Sequence, residues 1–305
     1  MNPVVLLKTL RPKQWTKNLL LFAGIVFSRQ WGEPLALRNA IVGFFVFCFL
    51  SGVVYITNDI VDMDKDRQHP KKKNRPIASG AISPTVAGVW GVLLLVGSLM
   101  LSWFMLPKGF FVAAMIYFGL STAYSLRLKH VVVMDILTLA FGFVLRAIAG
   151  VEVIRIEGIT VPITSYFILT TLFLALFLAI CKRRNELVVL GDNAGHHREV
   201  LKDYSTEYLD IILTVATGCV LFSYALWTTQ GQFARTSSAA EGSSGTYAMV
   251  FTMPFVIYGI FRYLWLVVHR DEGGAPESLL IEDLPLLGAV VLWLLTTFAV
   301  LTFAR

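Results

Sequence analysis

Long apolar blocks constrain this chain more than any other feature of its sequence. Hydrophobic residues make up 56% of the 305 residues and charged residues only 15%, whereas a soluble domain carries about a quarter charged residues. A helix needs about 17 to 25 apolar residues to cross a hydrocarbon layer of about 30 Å. Nine such blocks can be read, at 18–30, 39–57, 84–105, 109–126, 132–151, 163–181, 208–229, 247–268 and 284–303.

These blocks predict an all-α integral membrane protein with nine transmembrane helices. In lipid every backbone polar group needs a partner within the protein, and a helix supplies those partners internally. The block 18–30 is short and contains Gly24 and Ser28, so its limits are the least defined. We expect residues 1–305 to form a single transmembrane catalytic domain.

The charged residues predict the orientation of these helices. Most of the 26 Lys and Arg residues fall in the N-terminal tail and in alternate connections, which predicts a cytoplasmic N-terminus and an external C-terminus in the cell membrane. Many acidic residues lie on the same face, which indicates a polar site facing the cytoplasm. The outer connection 231–246 is small and polar and is interpreted as passive. Nothing in the sequence indicates a nucleic-acid partner.

An acidic motif follows the second block, with the pattern Asn58-Asp59-x-x-Asp62-x-x-x-Asp66. If the helix continues through it, the three aspartates share one face. Like charges so close repel each other, and a divalent cation removes that cost. Hard oxygen ligands suit Mg²⁺, which shares its remaining positions with substrate phosphates. We therefore predict a Mg²⁺ site at Asn58, Asp59, Asp62 and Asp66, with Asp64 off the face and solvated.

A basic loop, His69–Gly80, follows the acidic motif directly. Its prolines, Pro70 and Pro76, stop helix formation, and Arg75 is suited to bidentate phosphate recognition. Lys73 is a second candidate phosphate contact. The alternative is that the lysines of this loop serve only the topology.

The acidic motif resembles the first Asp-rich motif of the UbiA-type prenyltransferase superfamily. That resemblance spans the whole chain and implies a helical bundle around a central cavity, capped by cytoplasmic loops. Four stretches are most similar to the branch that transfers phosphoribose to decaprenyl phosphate. They are Arg11–Asn18, His69–Gly80, Tyr124–Lys129 with Asp135, and Cys181–Glu186.

The connection after the sixth block departs from the pattern of ordinary aromatic prenyltransferases, in which a second Asp-rich motif is expected. This chain has Lys182-Arg183-Arg184-Asn185-Glu186 there. Two aspartate motifs suit one large diphosphate chelated by metal on both sides. One aspartate motif and a basic cluster suit two phosphorylated substrates instead.

The resemblance therefore implies a Mg²⁺-dependent phosphoribosyltransferase. Its donor would be 5-phosphoribosyl-1-diphosphate and its acceptor decaprenyl phosphate or another polyprenyl phosphate, within the lipid bilayer. The candidate catalytic residues are Asp59, Asp62, Asp66 and Arg146. The candidate substrate-binding residues are Lys17, Asn58, Lys73, Arg75, Tyr124, Lys129, Asp135, Lys182, Arg183, Arg184, Glu186 and Tyr204. A homo-oligomer is compatible with the sequence.

The sequence leaves several alternatives open. Arg146 lies deep in an apolar block, where an Arg is costly and faces a cavity or a partner; it is either a phosphate contact or a buried structural ion pair. Asp135 is expected to orient Arg146 or Lys129, or to contact ribose hydroxyls. Two other functions compete with phosphoribosyl transfer: prenyl transfer from a polyprenyl diphosphate to an aromatic or other small acceptor, and transport.

Overall fold

The computed structural model of the protein describes residues 3–68, 72–156, 164–191, 198–230, 247–270, 272–274 and 276–303. Within these ranges the regular elements are all helices. The predictions for the outer connection 231–246 and for the first residues of the basic loop, 69–71, lie outside the described residues.

The α-helices of the described ranges are α1 (Pro3–Thr9), α2 (Phe22–Phe27), α3 (Pro34–Val61), α4 (Met63–Gln68), α5 (Pro84–Met105), α6 (Lys108–Leu126), α7 (Met134–Glu152), α8 (Ser165–Leu190), α9 (Thr206–Gln230), α10 (Met253–His269), α11 (Pro276–Glu282) and α12 (Leu284–Phe303). Short 3₁₀ segments cover Pro12–Leu21, Lys72–Asn74, Leu128–His130, Glu199–Asp203 and Tyr247–Thr252. Prolines start α3 and α5, where the missing N–H is not needed. Thr164 caps α8, accepting a hydrogen bond from the Phe167 N–H at 3.2 Å.

Eight helices in the described ranges are long and apolar enough to cross a membrane. They are α3, α5, α6, α7, α8, α9, α10 with the 3₁₀ turn before it, and α12. The prediction of an all-α, multi-pass membrane protein is confirmed, but the count of nine is not. The block 18–30 forms the end of a 3₁₀ segment and then α2, a helix of six residues. Six residues span only about 9 Å, far less than the hydrocarbon layer.

The chain forms two compact units. Unit 1 contains residues 1–127 and 145–161, and unit 2 contains residues 128–144 and 162–305. The helix α7 contributes its first half to unit 2 and its second half to unit 1. The single catalytic domain over 1–305 stays a prediction.

A pair of glycines determines how unit 1 packs around the short N-terminal segment. A Cβ atom added at Gly24 would lie 2.1 Å from the carbonyl oxygen of Gly150, and one added at Gly150 would lie 2.3 Å from that of Leu21. Backbones can approach this closely only at small residues, as is common between membrane helices. The segment before α2 therefore packs directly against the second half of α7.

A small apolar cluster in unit 1 fixes the basic loop beside the end of α3. Ile77 of the loop and Ile82, two residues after its end, are buried with Leu10 and with Ile56 of α3. Burial of a loop isoleucine from water contributes about 1.5–3 kcal/mol. These contacts place the residues just before Ile77 next to the acidic motif.

Unit 2 is built on helices α8 and α9, which pack along each other. Its core includes Phe177 and Cys181 of α8, Leu213 of α9 and Leu266 of α10. Leu201 of the 3₁₀ turn Glu199–Asp203 is buried in the same core. This turn therefore lies against the end of α8 that carries the basic stretch 182–186.

Candidate active site

The acidic motif lies where α3 ends, and the helix does not run through it unbroken as expected. Asp62 lies between α3 and α4, with φ −91° and ψ 6°. The N–H of Asp62 still donates to the Asn58 carbonyl oxygen, and the N–H of Asp66 to that of Asp62, at 2.9 and 2.8 Å. Aspartate is a poor helix former whose charge is unfavourable at a helix C-terminus, which accounts for an interruption here.

Two of the three aspartates, Asp59 and Asp66, contact the same guanidinium group, that of Arg75. Asp59 and Asp66 are 2% and 3% exposed. The Arg75 Nη1 atom donates to Asp59 Oδ1 at 3.0 Å and to Asp66 Oδ2 at 2.6 Å. Asp62 is half-buried and Asp64 is exposed; Asp64 pairs with Arg67 at the surface.

A second arginine, Arg11, donates from Nη2 to the same Asp59 oxygen. Its guanidinium carbon lies 4.6 Å from the centre of the Tyr55 ring. The Arg11 backbone is left-handed, with φ 49°, a conformation that costs a residue with a side chain about 1–2 kcal/mol. Arg11 was not among the candidate site residues. The only sequence signal was its place in the stretch Arg11–Asn18, which gives no contact to the acidic motif.

Two carboxylates of the acidic motif, Asp59 and Asp66, are close enough to share one positive group. No group of three or more His, Cys, Asp or Glu side chains in the described ranges is arranged to hold a metal. Asp59 and Asp66, however, already share a positive group, the Arg75 guanidinium. Mg²⁺ is commonly held by one or two carboxylates, with substrate phosphates and water completing its octahedron. The donor set therefore suits Mg²⁺ bound together with a phosphate ligand.

Other residues predicted for this part of the site have separate positions in unit 1. Asn58 donates from Nδ2 to the Ser125 hydroxyl at 3.0 Å, which ties the end of α3 to the end of α6. Tyr124 and Lys17 are half-buried, whereas Lys73 is exposed. The structure thus brings together Asp59, Asp66 and Arg75 and leaves Lys73 at the surface.

Arg146 lies in a buried polar network in unit 1. It is 8% exposed; its Nε atom donates to Asn18 Oδ1 and its Nη2 atom to the Tyr117 hydroxyl, both at 2.7 Å. Its guanidinium also lies over the Tyr117 ring, at 4.6 Å. The Tyr117 hydroxyl is 2.9 Å from that of Ser51. Arg146 therefore links α7 to α6 and to the segment Pro12–Leu21.

Asp135 is the centre of a second buried network, in unit 2. It is fully buried and accepts hydrogen bonds from Arg183 Nε at 2.6 Å and from the Tyr204 hydroxyl at 2.7 Å. Arg183 is 1% exposed and also donates to Glu186 at 2.6 Å. Asp135 thus orients Arg183 and Tyr204, two partners that were not among the alternatives left open by the sequence; its contact to ribose hydroxyls stays a prediction. Spacing along α7 could not reveal partners that arrive from α8 and a later turn.

Tyr204 connects this network to a strained backbone position. The Val133 N–H donates to the Tyr204 hydroxyl at 2.7 Å, and Val133 has φ 68°, which is a genuine outlier for a β-branched residue. Burial raises the pKa of the Tyr204 phenol above its usual value, and the Asp135 carboxylate acts in the same direction. The phenol therefore keeps its proton and donates a hydrogen bond to Asp135.

The rest of the basic stretch is also held inside unit 2. Arg184 donates to Asp210 of α9 at 2.6 Å and to the Val267 carbonyl oxygen of α10 at 3.2 Å. Lys182 and Glu186 on α8 are half-buried, as is Lys129 in the turn Leu128–His130. Arg183 and Arg184 were predicted as phosphate contacts, and both have carboxylate partners within the fold.

Comparison with known proteins identifies the family to which the chain belongs. Residues 19–284 match the model of the UbiA prenyltransferase family. A decaprenyl-phosphate phosphoribosyltransferase of Mycolicibacterium smegmatis is 32% identical over 98% of this chain and 93% of its own length. One of Corynebacterium glutamicum is 32% identical over 94% of this chain and 84% of its own.

A solved structure shares the fold. A UbiA homolog from Archaeoglobus fulgidus, bound to GPP and Mg²⁺, superposes with a TM-score of 0.70 at 23% identity. The match covers 97% of this chain and 99% of that one. The apolar helices and the family match agree on a multi-pass membrane protein. The chain belongs to the UbiA prenyltransferase family.

Proposed function

We propose that this chain transfers 5-phosphoribose from 5-phosphoribosyl-1-diphosphate to decaprenyl phosphate or another polyprenyl phosphate. The observation that carries this proposal is the similarity, over nearly the whole chain, to relatives named decaprenyl-phosphate phosphoribosyltransferase. The sequence Lys182–Glu186 stands where a second aspartate motif is expected of enzymes that use a prenyl diphosphate, and this difference supports another donor. The product, decaprenylphosphoryl-5-phosphoribose, would serve cell-wall arabinan synthesis.

The reaction breaks the bond between the ribose C1 atom and the diphosphate oxygen and forms one from C1 to an oxygen of the acceptor phosphate. The electron pair leaves with the diphosphate, and attack from the opposite side inverts C1. A phosphate monoester has a second pKa of about 6, so the acceptor is largely ionised near neutral pH. No general base is required, and the protein's work is to position two anions and to shield their charge.

Asp59 and Asp66 are the proposed metal ligands, with Asn58 and Asp62 beside them. Mg²⁺, when bound, would neutralise the diphosphate and make it a better leaving group. Arg75 would contact the diphosphate, and Lys73 would add positive charge at the surface of the loop. Lys17, Tyr124 and Arg146 remain proposed contacts to substrate from unit 1.

The residues proposed from unit 2 divide into two groups. Lys129 and Lys182 are half-buried lysines whose flexible ammonium groups suit a phosphate. Asp135, Arg183, Glu186 and Tyr204 are proposed to act chiefly by positioning the turn around Val133, and Arg184 by holding α8 to α9. We further propose that the site faces the cytoplasm, with the N-terminus on the same side.

The experiment is a product assay with a matched pair of variants. Purified protein with Mg²⁺, 5-phosphoribosyl-1-diphosphate and decaprenyl phosphate should yield a phosphoribosylated lipid, detected by mass spectrometry, and chelation of the metal should stop it. Asp59→Asn should abolish the product, whereas Asp64→Asn, which removes an exposed carboxylate from the same segment, should retain it. No product from the wild type, together with prenylation of an aromatic acid by a prenyl diphosphate, would refute the proposal.

A further inference from the structure

Two guanidinium groups hold one oxygen of each carboxylate proposed to bind the metal. Arg75 bridges Asp59 and Asp66, and Arg11 donates to the same Asp59 oxygen. A cation that bridges these same two oxygens would need the position of the Arg75 Nη1 atom, which lies 3.0 Å from one and 2.6 Å from the other. Bridging ligation through them therefore requires Arg75 to move.

We propose that Arg11 and Arg75 hold the two aspartates until a metal–diphosphate complex arrives and then transfer to the diphosphate. This inference rests on the metal–diphosphate part of the proposed function, and it is independent of whether the diphosphate carries a sugar or a prenyl chain. It makes Arg11 a further substrate contact. It also makes metal binding dependent on the diphosphate.

Charge and burial explain this dependence. Two nearly buried carboxylates are balanced by two guanidinium groups, so the set is neutral without metal. A bare divalent cation would add two positive charges and displace the arginines without offering them a new partner. A metal–diphosphate complex brings negative charge of its own, and its oxygens accept the bidentate hydrogen bonds that the arginines give up.

Both arginines are placed to make this transfer. Their side chains are 30% exposed at Arg11 and 27% exposed at Arg75, in contrast to 3% and 4% for the side chains of Asp59 and Asp66. The carboxylates are thus buried, while the guanidinium groups reach them from partly exposed positions.

The backbone at Arg11 gives an independent reason to assign it a role. Arg11 is left-handed at φ 49°, and it precedes Pro12, which disfavours helical conformations in the residue before it. Such strain persists where the surroundings enforce it, and it clusters at functional sites. Here the strained residue is the one whose side chain reaches Asp59.

The test measures binding of Mn²⁺, as a stand-in for Mg²⁺, to the purified full chain by electron paramagnetic resonance, without any donor. Arg75→Gln should bind Mn²⁺ about tenfold more tightly than the wild type, a coupling of the size common between linked sites. Lys65→Gln is the matched control, because it removes a positive charge from α4, one residue before Asp66, at an exposed position. It should change the Mn²⁺ affinity by about threefold at most, since screening weakens exposed charges.

A second arm measures retention of labelled inorganic diphosphate at saturating Mn²⁺. Arg75→Gln should bind diphosphate about tenfold more weakly than the wild type, because a charge-assisted bidentate contact is lost. Arg11→Gln should show both changes with the same signs, and it carries the test if Arg75→Gln does not purify as a folded protein. Tighter Mn²⁺ with weaker diphosphate supports the inference. Every other combination overturns it, including the absence of Mn²⁺ binding in all variants.

These binding results stand apart from the product assay. If the two opposite changes appear but no phosphoribosylated lipid forms, the arginine transfer holds and the proposed donor or acceptor is wrong. If the lipid forms and the two changes do not appear, the proposed function holds and the arginine transfer is wrong.

Discussion

Tyr204→Phe removes one hydroxyl group that joins three parts of unit 2. That hydroxyl donates to Asp135 at 2.7 Å and accepts from the Val133 N–H at 2.7 Å. The ring and its packing are kept, so the change isolates the two hydrogen bonds. Asp135 would keep Arg183 as a partner, whereas the Val133 N–H would lose the partner that holds its left-handed backbone.

The expected loss follows from the two bonds. A hydrogen bond to a charged group contributes about 1.5–3 kcal/mol and one between neutral groups about 0.5–1.5 kcal/mol. We therefore expect the free energy of unfolding to fall by about 2–4 kcal/mol, with the lower end favoured because Val133 can relax once its partner is gone.

The measurement is unfolding by sodium dodecyl sulfate in mixed micelles, followed by tryptophan fluorescence. Tyr208→Phe is the control: Tyr208 stacks on Tyr204, with ring centres 6.1 Å apart, but it is 40% exposed. Its loss should stay within about 0.5 kcal/mol, as is usual at the surface. Equal stability changes in the two variants would refute the role assigned to Tyr204.

Three further changes test other parts of the structure. Asp62→Asn should lower turnover about a hundredfold or more while leaving the unfolding curve unchanged, because this half-buried carboxylate lies outside the arginine-bridged pair; retained activity would remove it from the site. Gly150→Ala should destabilise by about 1–3 kcal/mol, since its Cβ would lie 2.3 Å from a backbone oxygen; Gly119→Ala, with open space around it, should be neutral or stabilising, and the reverse order would contradict the packing. Arg146→Lys should destabilise by about 1–3 kcal/mol because one ammonium group cannot replace the planar fork, and Tyr117→Phe should reproduce part of that loss; an unchanged unfolding curve in both would contradict the network.

The membrane-spanning helices were predictable because they depend on hydropathy, to which every residue of a block contributes. The block 84–105 coincides with α5, and the blocks 109–126 and 284–303 fall within one residue of α6 and α12. The prediction that the block 18–30 forms a membrane-spanning helix was not confirmed, because this segment departs from regular helix geometry. A left-handed residue, a 3₁₀ segment and the close glycine contact with α7 depend on tertiary packing, which hydropathy does not record.

The site was only partly predictable, for a related reason. The acidic motif and Arg75 could be read from local spacing, and the structure brings Asp59, Asp66 and Arg75 together. The role of Arg11 could not be predicted in this way. Arg11 is far from Asp59 in the sequence, and its own left-handed backbone conformation accompanies the contact.

The basic stretch 182–186 shows a different limit of the sequence. Lys182, Arg183 and Arg184 are all cationic and cannot be told apart by charge in the sequence. In the structure Arg183 forms an ion pair with Asp135 and Arg184 with Asp210. Whether a cation is already neutralised within the fold depends on partners from other helices. Charge clustering alone therefore overstated how much of this stretch is available to a second phosphate.

The proposed function requires that the sugar, and not a prenyl chain, moves from the diphosphate. It is tested most directly by following two labels in one reaction, with carbon-labelled ribose and phosphorus-labelled diphosphate in 5-phosphoribosyl-1-diphosphate, and with decaprenyl phosphate as acceptor. We predict that the ribose label enters the lipid fraction while an equal amount of labelled diphosphate appears in water, both dependent on Mg²⁺ and both lost in Asp59→Asn. The claim is contradicted if the ribose label stays in water while the same preparation joins a prenyl chain from a polyprenyl diphosphate to an aromatic acceptor.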